Sequence, residues 1–223
     1  MLDDTPTALA AFGAGALSIV SPAFVALVPG VCAFLWTRGT AQIVAFFLGF
    51  SLVFVALGAG ATSIGQALLG NLPLAERVAG VALLAIGGHE LRAVKRGEDA
   101  SAPLEPATAA RVVVAFMAGA ALMFGWTPIG GTVLNRILAI ATSTDAIDRG
   151  LWLLAVNAAG RALPFAALAV ATGMVIRRAI AAGVPRRYPQ LVAGAFVTVS
   201  GVLLVSGLFP RVAAALVPLL PLA

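Results

Sequence analysis

The chain holds one cysteine and one histidine among 223 residues. That scarcity excludes an internal disulfide framework and leaves too few ligands for a metal site of ordinary spacing, so no metal is expected. Acidic residues are also few, nine in all, and none lies deep in an apolar stretch. No carboxylate pair, Ser/His/Asp set or glycine-rich phosphate loop appears. The usual footing for hydrolase or transferase chemistry is therefore missing, and no cofactor is expected. Charged residues make up 10% of the chain and apolar ones 61%, with a mean hydropathy of +1.05. No water-soluble domain of this length buries so much apolar surface.

What is present is a set of apolar runs near or beyond the ~20 residues that cross a bilayer. They cover 8–34, 41–70, 75–92, 110–139, 147–178 and 189–209. The pattern predicts an all-α integral membrane protein of six transmembrane helices, with the lipid bilayer as its first partner. Several runs exceed one crossing, so tilts, kinks or re-entrant breaks are expected. The start, Met1-Leu2-Asp3-Asp4, is acidic where a signal peptide is positive. A mixed-charge linker at 95–109 divides the chain into three-helix halves at 1–94 and 110–209, followed by an apolar, proline-rich tail at 210–223.

The basic surplus, a formal net charge of +5, has a membrane explanation. With six crossings, Arg38, Arg92, Lys95, Arg96, Arg111, Arg177, Arg178, Arg186 and Arg187 fall on one face. The other face keeps Arg77, Arg149 and Arg211, with Arg136 near a helix end. The richer side belongs in the cytoplasm, which puts both termini outside, in an inner membrane of bacterial type. No soluble basic element with interleaved aromatics exists, so nucleic acid is not an expected partner.

Two runs are broken by proline and glycine at corresponding places. The first reads Ser21-Pro22-Ala23 with Pro29-Gly30 beyond it; the second reads Gly125-Trp126-Thr127-Pro128-Ile129-Gly130-Gly131. The glycines are expected to allow backbone bends there. Ala14-Gly15-Ala16 before the first break resembles Ala118-Gly119-Ala120 before the second, and Ala79-Gly80-Val81 resembles Ser200-Gly201-Val202. An odd number of helices per repeat forces the second copy to enter from the opposite side, making two inverted three-helix repeats with proline-broken helices 1 and 4. Gly/Ala-rich helices also look alike without common origin, because small residues let helices approach. The matched breaks favour a repeat with a site between them.

These residues resemble the CcdA family and the transmembrane domain of DsbD. The resemblance runs through Leu17-Ser18-x-x-Ser21-Pro22, Pro29-Gly30, Gly49-Phe50-Ser51-Leu52-Val53-Phe54, Gly80-Val81 and Gly125-Trp126-Thr127-Pro128. It continues in Gly160-x-x-x-Pro164-Phe165 and Ser200-Gly201-Val202-Leu203. It implies transfer of reducing equivalents across the membrane for cytochrome c maturation and envelope thiol reduction, with thioredoxin-like partners. In the family a cysteine follows each break proline; here those positions are Ala23 and Ile129, and two family prolines are Ala26 and Thr132. A dithiol relay needs one thiolate to attack and a second to resolve. The chain therefore reads as a redox-inactive relative, and not as an enzyme of the family type. Cys32 alone offers a mixed disulfide, or else a small buried hydrophobe near a helix end.

Arg161 lies inside the fifth run, where the family usually carries an apolar residue. An intramembrane arginine is a functional hypothesis by default. It points to an anion in a transport path, or to a contact that makes the chain a subunit of a larger membrane complex. The alternative is hydrogen bonding to carbonyls freed by Pro164, aided by Asn157. His89-Glu90 is a candidate proton-handling pair or a solvated cluster beside Arg92, and Ser63 and Gln66 are candidates for bonds across helices.

Overall fold

The computed structural model describes residues 6–18, 30–36, 38–60, 62–97, 108–124, 132–143, 146–208 and 211–212. Among them the chain is helical, without strands. The helices are α1 (Ala8–Leu17), α2 (30–35), α3 (Thr40–Gly58), α4 (Ser63–Gly70) and α5 (Leu72–Lys95) in the first half. The second half has α6 (Ala109–Phe124), α7 (Thr132–Ala141), α8 (Ile147–Ala181) and α9 (Arg187–Ser206). The helix α1 begins at Thr7, whose hydroxyl accepts from the Ala10 amide; α9 ends at Gly207, whose φ of 67° suits glycine.

Among the described residues three helices, α3, α8 and α9, are long and apolar enough to cross a membrane, or four if α4 and α5 count as one bent span. The run 41–70 is not one helix: α3 stops at Gly58, and α4 turns to meet α5 at a bend of 78°. The Thr62 hydroxyl caps α4 by accepting from Gly65, and Gly65 lies so close to the Ala59 carbonyl that a side chain there would collide. That contact folds α4 back onto the end of α3. Pro73 falls in the first turn of α5, where its missing N–H costs nothing. By contrast α8 runs on through Pro164.

Two seams share one construction. Between α1 and α8, Gly15 sits on the Asn157 carbonyl and Gly160 on the Phe12 carbonyl, with no room for a Cβ at either glycine. Between α3 and α6, Gly49 sits on the Phe116 carbonyl and Gly119 on the Phe46 carbonyl in the same way. The pair Phe116 and Gly119 stands at one constant offset from Phe12 and Gly15, as Asn157 and Gly160 do from Phe46 and Gly49. Glycine here removes the side chain that would hold two backbones apart, which is how helices gain contact where water supplies no drive. The third seam joins α5 to α9, where Gly80 and Gly201 face each other. A Cβ on Gly80 would lie 2.9 Å from the Gly201 carbonyl oxygen, and one on Gly201 would lie 2.8 Å from that of Gly80.

Candidate functional site

The α1/α8 seam builds the site. Close approach at Gly15 and Gly160 lets short polar groups on α8 reach the backbone and side chains of α1. Asn157 Nδ2 donates to the Ala11 carbonyl at 2.8 Å, and its Oδ1 accepts from Arg161 Nη2 at 3.1 Å. Arg161 Nε donates to Ser18 Oγ at 3.0 Å, and that hydroxyl donates to the Gly15 carbonyl at 2.6 Å. The guanidinium carbon stands 4.5 Å from the centre of the Phe54 ring on α3, within cation–π range. Arg161 is 4% exposed and Asn157 1%, so neither is reached by bulk solvent.

One atom is left over. Arg161 Nη1 is buried without a hydrogen-bond partner among the described residues, and no carboxylate there pairs with the guanidinium. A buried donor without an acceptor is costly, more so on a charged group, and in native proteins it calls for an explanation. The arrangement therefore holds a fixed positive charge with one open donor. Its anchor, Ser18, is the last described residue before 19–29, the segment carrying the first proline break.

The alternative in which Arg161 satisfies carbonyls beside Pro164 is not what is found; its partners are the side chains of Ser18 and Asn157. The partnership with Asn157 was legible, being one helical turn apart on α8. Ser18 and Phe54 are not legible as partners in the sequence, because they come from other helices. The only available signal was that Ser18 and Gly15 lie beside the first break.

Of the broken-helix residues, Pro22, Ala23, Pro29, Trp126, Thr127, Pro128, Ile129, Gly130 and Gly131 lie outside the described residues. Gly30 is described: it opens α2, and its missing side chain makes room for the Phe196 ring of α9. Cys32 is a free thiol, fully buried, beside the Thr172 side chain. Asn135, Arg136, Ser63 and Gln66 are exposed.

His89 and Glu90 do not act as a pair. His89 is exposed, whereas Glu90 meets Arg38 at 2.7 Å across the fold. Consecutive residues on a helix point about 100° apart, so one side chain turns outward and its neighbour inward. Burial pushes the Arg38 guanidinium below its ordinary value, and the Glu90 carboxylate works against that. No group of three or more His, Cys, Asp or Glu able to hold a metal occurs among the described residues.

The chain is similar to the cytochrome c-type biogenesis protein CcdA of Halalkalibacterium halodurans, 28% identical over 229 aligned positions that cover 95% of each chain. It is also similar to a protein of Haemophilus influenzae named for cytochrome c-type biogenesis, 26% identical over 215 positions, 94% of this chain and all of that one. No family model matches the chain, and no solved structure matches it closely enough to carry an argument.

Proposed function

We propose that the chain, which is similar along 94–95% of its length to two proteins named for cytochrome c-type biogenesis, serves that process as a multi-pass inner-membrane protein without a dithiol couple of its own. The observation that carries this reading is similarity along almost the whole chain, combined with a single, fully buried thiol. Two thiols are the minimum for an internal relay, and Ala23 and Ile129 supply none. Thioredoxin-like proteins or other membrane subunits are the partners that such a role calls for.

The proposed architecture is six crossings in two inverted repeats, 1–94 and 110–209, with both termini outside. Support comes from the two seams of identical construction and from α5/α9, where Gly80 meets Gly201 and Val205 while Gly201 meets Gly80 and Leu84. Such reciprocal contacts arise when two copies pack about a local two-fold axis.

Deleting the gene in its host is expected to remove most covalently haem-stained cytochrome c, and Cys32→Ser is expected to restore it as fully as the natural chain. Unchanged cytochrome c after deletion would overturn the assignment, and a null Cys32→Ser would return thiol chemistry to the site. The scaffold has its own test. Ala23→Cys combined with Ile129→Cys is expected to form an internal disulfide under mild oxidant, read as a mobility shift reversed by reductant. No cross-link would mean that the two breaks do not meet.

A second reading rests on the open donor of Arg161. Passage of a small anion beside a fixed guanidinium fits an intramembrane arginine that has no carboxylate partner among the described residues. Anion flux into vesicles containing the purified protein, present in the natural chain and lost in Arg161→Leu, is the result that reading requires.

A further inference from the structure

One ion pair ties together helices whose main packing partners differ. Arg38 stands at the corner before α3, which lies mainly on α6 and α8, whereas Glu90 belongs to α5, which lies mainly on α9. Their side chains meet at 2.7 Å and are 13% and 19% exposed, so the contact is shielded from solvent without being sealed. The corner is built to aim the guanidinium. Arg38 also donates to the Phe34 carbonyl, and its guanidinium carbon lies 3.5 Å from the centre of the Phe34 ring. Gln42 Oε1 fixes the turn into α3 by accepting from the Gly39 amide at 2.8 Å. Arg111, at the start of α6, repels Arg38, and Glu90 is the charge that answers that repulsion.

The inverted arrangement gives each of these residues a counterpart. Arg38 lies eleven residues before Gly49, and Arg149 lies eleven before Gly160, the matching glycine of the other seam. Glu90 lies ten residues after Gly80, and Arg211 lies ten after Gly201. The helices α5 and α9 run antiparallel, since Gly87 meets Thr198 and Gly194 meets Leu91, so Glu90 and Arg211 lie at opposite ends of that seam. One end therefore carries arginine with glutamate, and the matching positions at the other end are both arginine. Two arginines repel where arginine and glutamate attract, whatever else each one touches.

When two inverted halves exchange conformations, a protein passes between a state open at one end and a state open at the other. What one half does in the first state, the other half does in the second. The structure joins Arg38 to Glu90; the exchanged state parts them and draws Arg149 toward Arg211. Attraction in the first state and repulsion in the second both favour the first. We propose that Arg38 and Glu90 form a latch that holds their end of the bundle closed, while Arg149 and Arg211 keep the opposite end from closing in the same way. The inference rests on the inverted repeats proposed above.

The test is a pair of distances measured by double electron–electron resonance on the whole chain in lipid bilayers, with Cys32→Ser as background. Spin labels on Ala41→Cys with Lys95→Cys read the latch end, and labels on Trp152→Cys with Ser206→Cys read the other; all four positions are exposed. One short spacing is expected to dominate between positions 41 and 95. Glu90→Gln should raise the population of a longer spacing there on the order of fivefold, the upper range for a partly exposed pair. A matching fraction should move to a shorter spacing between positions 152 and 206. Arg211→Glu should shift both spacings in the same directions, by giving Arg149 an opposite charge to meet. No change in Glu90→Gln would overturn the latch. So would a change confined to the latch end, which would make the pair a local tie. A response to Glu90→Gln at both ends with none to Arg211→Glu would leave the latch standing and overturn the inverted arrangement instead.

Discussion

Gly119→Ala is expected to destabilise the protein at or above the upper end of the ~1–3 kcal/mol usual for overpacking, although one methyl is all it adds. Alanine is the better helix former, so a glycine in open space gains about 0.5–1 kcal/mol from the same change. Gly88 in α5 is such a position, with nothing near its would-be Cβ. Gly119 is the opposite case. Its Cβ would collide with the backbone carbonyl of Phe46, and backbone cannot turn aside as a side chain can. The helices α3 and α6 must then separate along the seam, losing the mutual contact at Gly49 as well. Gly119→Leu should leave no folded protein in detergent. The measurement is thermal unfolding of Gly119→Ala beside Gly88→Ala. Equal melting temperatures would mean that the seam is not a close backbone contact.

Arg161→Leu is expected to separate stability from function. On the insertion scale an arginine at the centre of a membrane helix costs at least ~2.5 kcal/mol, which leucine does not. The hydrogen bonds to Ser18 and Asn157 that are lost are worth about 0.5–1.5 kcal/mol each, or more with a charged donor. The terms nearly cancel, so the variant should fold with a melting temperature close to that of the natural chain. Asn157 keeps its bond to the Ala11 carbonyl, which holds the seam together. Cytochrome c maturation, or anion flux if that reading holds, should nevertheless be lost. Arg161→Lys should fold and act weakly, because an ammonium cannot reproduce the planar fork that engages Ser18 and Asn157 together. Full function in Arg161→Leu would make the arginine dispensable. A fall in stability well beyond ~3 kcal/mol would make it a structural strut.

The class was written in the composition, because a chain so apolar and so poor in charge has no water-soluble solution. The small-residue matches were legible too: Gly15 with Gly119 and Gly80 with Gly201 recur as short motifs, and each proves to be a point of close approach. The match of Gly49 with Gly160 is not legible in the sequence, because Phe46 and Asn157, the residues a turn before them, share no chemistry. The run 41–70 misled for a related reason. Hydropathy records how apolar a segment is, and Ala59, Gly60 and Gly65 are as apolar bent as straight.

By itself, then, the sequence determined that the chain belongs in a membrane, that it carries no thiol pair, and that a charge sits inside its fifth apolar run. Only the tertiary structure decided that Arg161 rests on Ser18 and Phe54, that Glu90 answers Arg38 rather than His89, and that Gly30 yields to Phe196. The reason is physical. A sequence states which groups need partners, but hydrogen bonds and ring contacts act over a few ångströms. Which groups come that close is settled by how the backbones pack.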